Sequence, residues 1–280
     1  LVIMKGKKDV ILMYDFDKTL STVDMQEYVF IPSLKMEPKD FWDLANKFAF
    51  KNHMDNILST MFLMVDKAKC GNVPITRDTL KEQGKFIKYQ PGVEDWFERI
   101  NEFGRHHGVN VKHYIISSGL KCIIEGCSIS KYFTQIFASE FLYDDNSVPV
   151  WPAVAINYSS KTQYLYRIHK GVEDITEHTK LNRKLPEDEK QVPFSNMVYI
   201  GDGLTDVPSM KLTRLNGGYS IGVYQDEQTS EYLVSDDRVS FFVPANYSEN
   251  TDMDKIVKAI IKRISAEAEL SALGWDEKID

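Results

Sequence analysis

Two pairs of carboxylates, each arriving at the end of an apolar run, are the side chains of this chain best placed to do chemistry. Asp15 and Asp17 follow Val10-Ile11-Leu12-Met13-Tyr14, and Asp202 and Asp206 follow Met197-Val198-Tyr199-Ile200-Gly201. A short apolar run of this kind reads as a strand buried on both faces of a parallel sheet. In open α/β sheets ligands sit beyond the carboxyl ends of the strands. The spacing of two turns Asp15 and Asp17 toward one pocket while Phe16 faces away. A lone Asp-x-Asp would read as a solvated acidic turn; the second acidic motif argues against that. Two acidic clusters that meet in space need a shared countercharge. Mg²⁺, which prefers carboxylate, carbonyl and water oxygens, suits them.

Between the two motifs lie groups that could hold an anion. Ser117-Ser118-Gly119 ends the run Tyr114-Ile115-Ile116. A hydroxyl there, followed by a helix start, can bind phosphate oxygens, although either serine could equally serve as a plain helix N-cap. Lys161 opens the helix that carries Leu165 and Ile168. A cation is electrostatically misplaced at a helix start, so it reads either as a cation aimed into an acidic pocket or as an ordinary solvated lysine.

The elements that must position these groups follow from periodicity. Strands are expected at 10–14, 109–116, 135–138, 197–201, 219–223 and 238–244, with a further extended piece at 154–158. Helical spacing runs from Pro38 to about Lys69, where Cys70-Gly71-Asn72-Val73-Pro74 breaks it, and again from Thr76 to Lys88. No strand pattern interrupts 21–88, which reads as a helical module inserted between the first two strands. Pro91 restarts the main domain at the first turn of a helix. The charged stretch 170–191 reads as a surface excursion, and 253–261 as a closing amphipathic helix.

The chain has 280 residues, 43% of them hydrophobic, and a net charge of −7. That length and apolar content can build one large domain or two small ones. The acidic balance argues against a general nucleic-acid surface, and no apolar run approaches the length that spans a bilayer. The opening Leu1–Lys5 stretch is too short to read as a signal peptide. Cys70, Cys122 and Cys127 are odd in number and lack a metal-binding spacing, so three reduced, mostly buried thiols in a cytoplasmic protein are expected.

The series Asp15-Phe16-Asp17-Lys18-Thr19, Ser117-Ser118-Gly119, Lys161 and Gly201-Asp202-Gly203-Leu204-Thr205-Asp206 resembles the haloacid dehalogenase superfamily in motif order. With helices between the first two motifs, it is similar to the phosphoserine-phosphatase-like branch. The resemblance implies an α/β, Rossmann-like three-layer core with a parallel sheet, formed by residues 1–20 and 89–280, and a helical cap over 21–88. It implies a phosphatase that hydrolyses a small phosphorylated metabolite through an aspartyl-phosphate. Asp15 would be the nucleophile, Asp17 the general acid/base, and Ser117, Ser118, Gly119 and Lys161 would bind phosphate. Asp15, Asp17 through its carbonyl, Asp202 and Asp206 would hold Mg²⁺, with Asp206 acting through water or as a partner of Lys161. A phosphotransferase or sugar-phosphate mutase would use the same intermediate, and a binding module without catalysis would keep the same residues. Asp24 lies near where that branch places an acid for a substrate amine, and Arg77 is the arginine of the insert that could meet a substrate carboxylate. Lys18 stands where the family often has a small residue, and Thr205 where the branch often has Asn.

Overall fold

The computed structural model describes residues 9–186, 189–226 and 239–273. The expectations for Leu1–Lys5, Glu187 and Asp188, Arg238 and the chain beyond 273 fall outside them. Among the described residues no helix is long and apolar enough to cross a membrane.

The chain forms a seven-stranded sheet. Its strands are β1 (Asp9–Tyr14), β2 (Asn110–Leu120), β3 (Phe133–Tyr143), β4 (Pro149–Val154), β5 (Met197–Gly201), β6 (Tyr219–Tyr224) and β7 (Phe241–Pro244). Their spatial order is β4-β3-β2-β1-β5-β6-β7. Every pairing is parallel except β3 with β4. β1 lies between β2 and β5, with Tyr14 opposite both Ile115 and Ile200. The chain builds outward on one side of β1 and then on the other. The crevice beyond its carboxyl end is therefore a topological switch point, where open α/β sheets bind ligands.

Strand β1 explains its own position. Val10 to Tyr14 have no exposed surface. Val10, Leu12 and Tyr14 join one apolar cluster, and Ile11 and Met13 the other. Fully burying an aliphatic side chain contributes about 1.5–3 kcal/mol, so a central place covered on both faces suits this run better than an edge.

Helices α1 (Phe30–Ser33), α2 (Pro38–Asn52), α3 (Asn56–Gly71) and α4 (Arg77–Gln83) fill the stretch between β1 and β2. The helical run expected from Pro38 to Lys69 is two helices. His53 adopts a left-handed conformation (φ 50°) and Asp55 caps α3, accepting from Ile57 N and Leu58 N. Gly84 and Gly126 press the end of α4 onto α6 (Lys121–Glu125): a Cβ on Gly84 would lie 2.2 Å from Ile123 O, and one on Gly126 1.8 Å from Lys81 O. Where this excursion leaves and rejoins the sheet, Ser21 pairs with Tyr89, and Gln90 Nε2 donates to the carbonyls of Lys18 and Ser21.

Helix α5 (Val93–His106) is fixed to the sheet by a chain of buried polar groups. Trp96 Nε1 donates to the Tyr14 hydroxyl at 2.8 Å, which donates to His113 Nδ1 at 3.0 Å, while His113 Nε2 donates to Asn101 Oδ1 at 3.0 Å. Each group has a partner, as burial requires. Helix α7 (Lys161–Lys170), the short α8 (Thr179–Asn182) and α9 (Val207–Leu215) follow, and α10 (Asp252–Ala272) closes the chain. α8 lies in the charged excursion, as expected. Cys122 and Cys127 are buried and unbridged, but Cys70 is exposed.

Candidate active site

Four segments distant in the chain meet at the carboxyl edge of the sheet. The first residue beyond β1, Asp15, donates its backbone N–H to Ile200 O at 2.9 Å, which draws the ends of β1 and β5 together. Asp15, Asp17 and Asp202 line one pocket of about 610 Å³ together with Ser118 and Gly119, while Phe16 is wholly buried, as the spacing of two predicts. Asp206, Ser117 and Lys161 have no exposed surface and lie beneath the pocket's lining.

Lys161 is the first residue of α7 and is buried rather than solvated. Its Nζ lies 2.7 Å from Asp206 Oδ1 and 3.1 Å from Asp15 Oδ1. Burial alone would lower the Lys161 ammonium, but Asp15 and Asp206 outweigh it and raise it. Asp206 is held by three donors: Lys161 and the Tyr199 hydroxyl at Oδ1, and Gly203 N at Oδ2. Gly201 leaves the room for this, since a Cβ there would lie 2.6 Å from Asp206 Cγ. Thr19 Oγ1 donates to Asp202 Oδ1 at 3.0 Å.

One carboxylate oxygen from each of Asp15, Asp202 and Asp206 falls within 4.8 Å of the others. Three carboxyl groups thus face one ammonium, and the acidities of Asp15 and Asp202 record the imbalance. Burial, and then the Asp206 charge, push Asp15 up to about 7 against the pull of Lys161. Burial, Asp15 and Asp206 raise Asp202 well above the usual carboxylate range. Hard oxygen donors converging with surplus negative charge are what a divalent cation such as Mg²⁺ requires.

Asp17 belongs to a different environment. Its Oδ1 accepts from Met25 N at 2.8 Å. Burial, with Asp24 and Asp15 adding to it, raises its carboxyl well above the usual range. Gly119 packs against it, since a Cβ there would lie 2.9 Å from Asp17 Oδ2 and 2.1 Å from Met25 Cε.

The serine motif differs from expectation. Strand β2 continues through Ser117, Ser118 and Gly119 to Leu120, and neither serine caps α6, whose N-cap is Leu120. Ser117 Oγ accepts from Gly119 N at 3.0 Å, whereas the buried Ser118 hydroxyl has no hydrogen-bond partner. Lys18, in a left-handed conformation (φ 59°), pairs with Asp24 at 2.6 Å. Arg77 points to Glu125 and Glu140, 3.8 and 4.0 Å away, and does not line the pocket. Lys47, Lys51 and His53 are exposed and do not line the pocket. Sequence reasoning assigned no role to Tyr199, Thr19 or Met25. Tyr199 alone carried a usable signal, since β alternation places it on the same face as Gly201, where Asp206 tucks in.

The haloacid dehalogenase-like hydrolase family matches residues 12–211. The chain belongs to that family. A HAD family hydrolase from Salmonella enterica serovar Typhi is similar in structure, with a TM-score of 0.59 at 14% identity over 91% of this chain and 72% of that one. A phosphoserine phosphatase held as a phospho-aspartyl intermediate analogue matches with a TM-score of 0.55 at 15% identity, over 90% of this chain and 99% of that one. The cytosolic 5′-nucleotidase IIIB bound to cytidine matches with a TM-score of 0.50 at 11% identity, over 96% and 90%. At these identities the likeness is one of fold: a HAD core with helices between its first two strands, as in the phosphoserine-phosphatase-like branch. In sequence, an uncharacterised protein of Borreliella burgdorferi is 25% identical over 281 residues, 89% of this chain and 96% of that one.

Proposed function

We propose that this HAD hydrolase is a Mg²⁺-dependent phosphatase acting on a small phosphomonoester, with Asp15 as the nucleophile. The observation that carries the reading is the convergence of Asp15, Asp17 and Asp202 on one pocket above the buried Lys161. Asp15 Oδ1 accepts from Phe16 N and from Lys161, which fixes the carboxylate at the pocket floor. Its attack on phosphorus would form an aspartyl-phosphate and release the alcohol, splitting hydrolysis into two displacements.

Asp17 would protonate the departing alkoxide and then take a proton from the water that opens the acyl phosphate. Held well above the usual carboxylate range, the Asp17 carboxyl suits the first task, since the group must carry a proton at neutral pH. The Ser118 hydroxyl and Lys161 would hold the phosphoryl oxygens, Ser117 would order the turn through Gly119 N, and Gly119 would keep Asp17 close. Mg²⁺ would be held by Asp15, the Asp17 carbonyl and Asp202, and would supply countercharge to the phosphoryl oxygens. Asp206, already committed to Lys161, Tyr199 and Gly203, would position the lysine and reach the cation through water. Residues 21–88 would form the cap over a core of 1–20 and 89–280, covering the pocket during turnover.

The test is phosphate release from p-nitrophenyl phosphate with and without Mg²⁺, by the native chain and by Asp15→Asn. Turnover that depends on Mg²⁺ and disappears in the variant is the expected result. Full activity in Asp15→Asn would remove the nucleophile assignment.

A further inference from the structure

Above the carboxylates the pocket is bounded by residues that no step of the proposed chemistry uses, and they describe the alcohol half of the ester. Trp42, Ile57, Met61 and Met64 make an apolar wall. The Trp42 indole is held before any ligand arrives, by a 2.7 Å hydrogen bond from Nε1 to Glu27 Oε1 and by edge contact with Phe41 at 5.3 Å. A flat side chain already fixed in place favours ring stacking at little ordering cost. Gln26 also lines the pocket and is only 5% exposed, and its amide makes no hydrogen bond to the described residues. An amide open to the pocket offers a ligand both a donor and an acceptor.

The ionisable groups point the same way. Lys18 is committed to Asp24, and Arg77 is turned to Glu125 and Glu140 outside the pocket. Among the described residues no arginine or histidine lines the pocket. A carboxylate on the alcohol half would thus be desolvated beside acidic groups without a free cation, which is costly. An amine at Asp24 would have to displace Lys18, and Asp226, the other lining carboxylate away from Asp15, Asp17 and Asp202, already has a partner. The volume of about 610 Å³ exceeds the need of a two- or three-carbon alcohol and suits a ring system.

We infer that the preferred substrate is a phosphomonoester whose alcohol is uncharged and carries a ring, seated against Trp42 with its polar edge read by Gln26. This rests on the phosphatase reading above and names the substrate class of that same site. A nucleoside 5′-monophosphate has all three properties.

The experiment measures kcat/KM with Mg²⁺ for p-nitrophenyl phosphate, a nucleoside 5′-monophosphate, glycerol 2-phosphate, phosphoserine and phosphoglycolate. The nucleotide is expected to exceed glycerol 2-phosphate by about tenfold or more and the two carboxylate esters by about a hundredfold. In Trp42→Ala and Gln26→Leu the ratio of nucleotide to glycerol 2-phosphate falls toward one, through KM rather than kcat. Circular dichroism checks that each variant is folded. Phosphoserine or phosphoglycolate as the best ester, or a ratio unmoved in both folded variants, overturns the inference while leaving the phosphatase reading intact. Failure to hydrolyse any ester, p-nitrophenyl phosphate included, removes both.

Discussion

Lys161 is buried against Asp206, ammonium to carboxylate, at 2.7 Å. Breaking such a pair from one side leaves a charge stranded away from water, at a cost of about 3–5 kcal/mol. Lys161→Met should therefore lower the unfolding free energy by about that amount in urea at pH 7 and abolish phosphatase turnover. Lys161→Met with Asp206→Leu should recover only part of that stability and no activity, because Asp15, the Tyr199 hydroxyl and Gly203 N each lose a partner. A single variant as stable as the native chain would show that the ammonium is not what holds these carboxylates in place.

The surplus of negative charge around Asp15, Asp202 and Asp206 makes cation binding a stability term. Mg²⁺ should raise Tm, by the equivalent of about 2.7 kcal/mol at a concentration a hundred times Kd. Asp202→Asn removes one donor, and its Tm should respond far less to Mg²⁺. Chelation with EDTA should stop hydrolysis, and added Mg²⁺ should restore it. An equal Mg²⁺ response in native and variant chains would place the cation elsewhere.

His113 supplies a pH dependence remote from the chemistry. Burial pushes its imidazole down from 6.5 to about 3. The folded chain thus favours neutral histidine, and below 6.5 the unfolded chain binds the extra proton. The stabilisation is complete above 6.5 and is lost as pH falls from there toward 3, by about 1.4 kcal/mol per pH unit. His113→Gln should be less stable at pH 7 yet show a shallower decline between about pH 6 and 4 in urea unfolding. Parallel pH profiles for the two chains would refute the assignment.

Gly119→Ala addresses the placement of Asp17. The added methyl would meet Met25 Cε and Asp17 Oδ2. Met25 can swing aside at its flexible end, but Asp17 must shift. Since displacing a catalytic group by about an ångström can cost on the order of 10²-fold in rate, kcat should fall steeply while Tm changes little. Unchanged kcat in a folded variant would mean that Asp17 tolerates the displacement.

Much of the core was readable because it is written locally. The apolar runs ending at Asp15 and Asp202 are buried strands, and Lys161 stands at a helix start because it is needed beneath the carboxylates. What escaped were features decided by contacts distant in sequence. β2 runs on past an irregularity at 117–119 to pair again at Leu120 with Ser139 of β3, so the helix starts later than the serines suggested. His53 carries no glycine-like signal, yet its left-handed backbone divides the long helix in two. The ligand-facing set was equally hidden: Gln26 and Trp42 reach one pocket only after the insertion folds back, and Asp24 looked available until Lys18 was found against it.

The place of β1 between β2 and β5 has a consequence for synthesis. The strand that leads into Asp15 leaves the ribosome before its second flank, which does not exist until residues near Met197 have emerged. A nascent chain stopped before that point would carry an open hydrogen-bonding edge on its most apolar strand and only half of its acidic cluster. The acidic cluster is thus assembled only once β5 has joined the sheet, and in the interval before that the open edge is exposed to self-association.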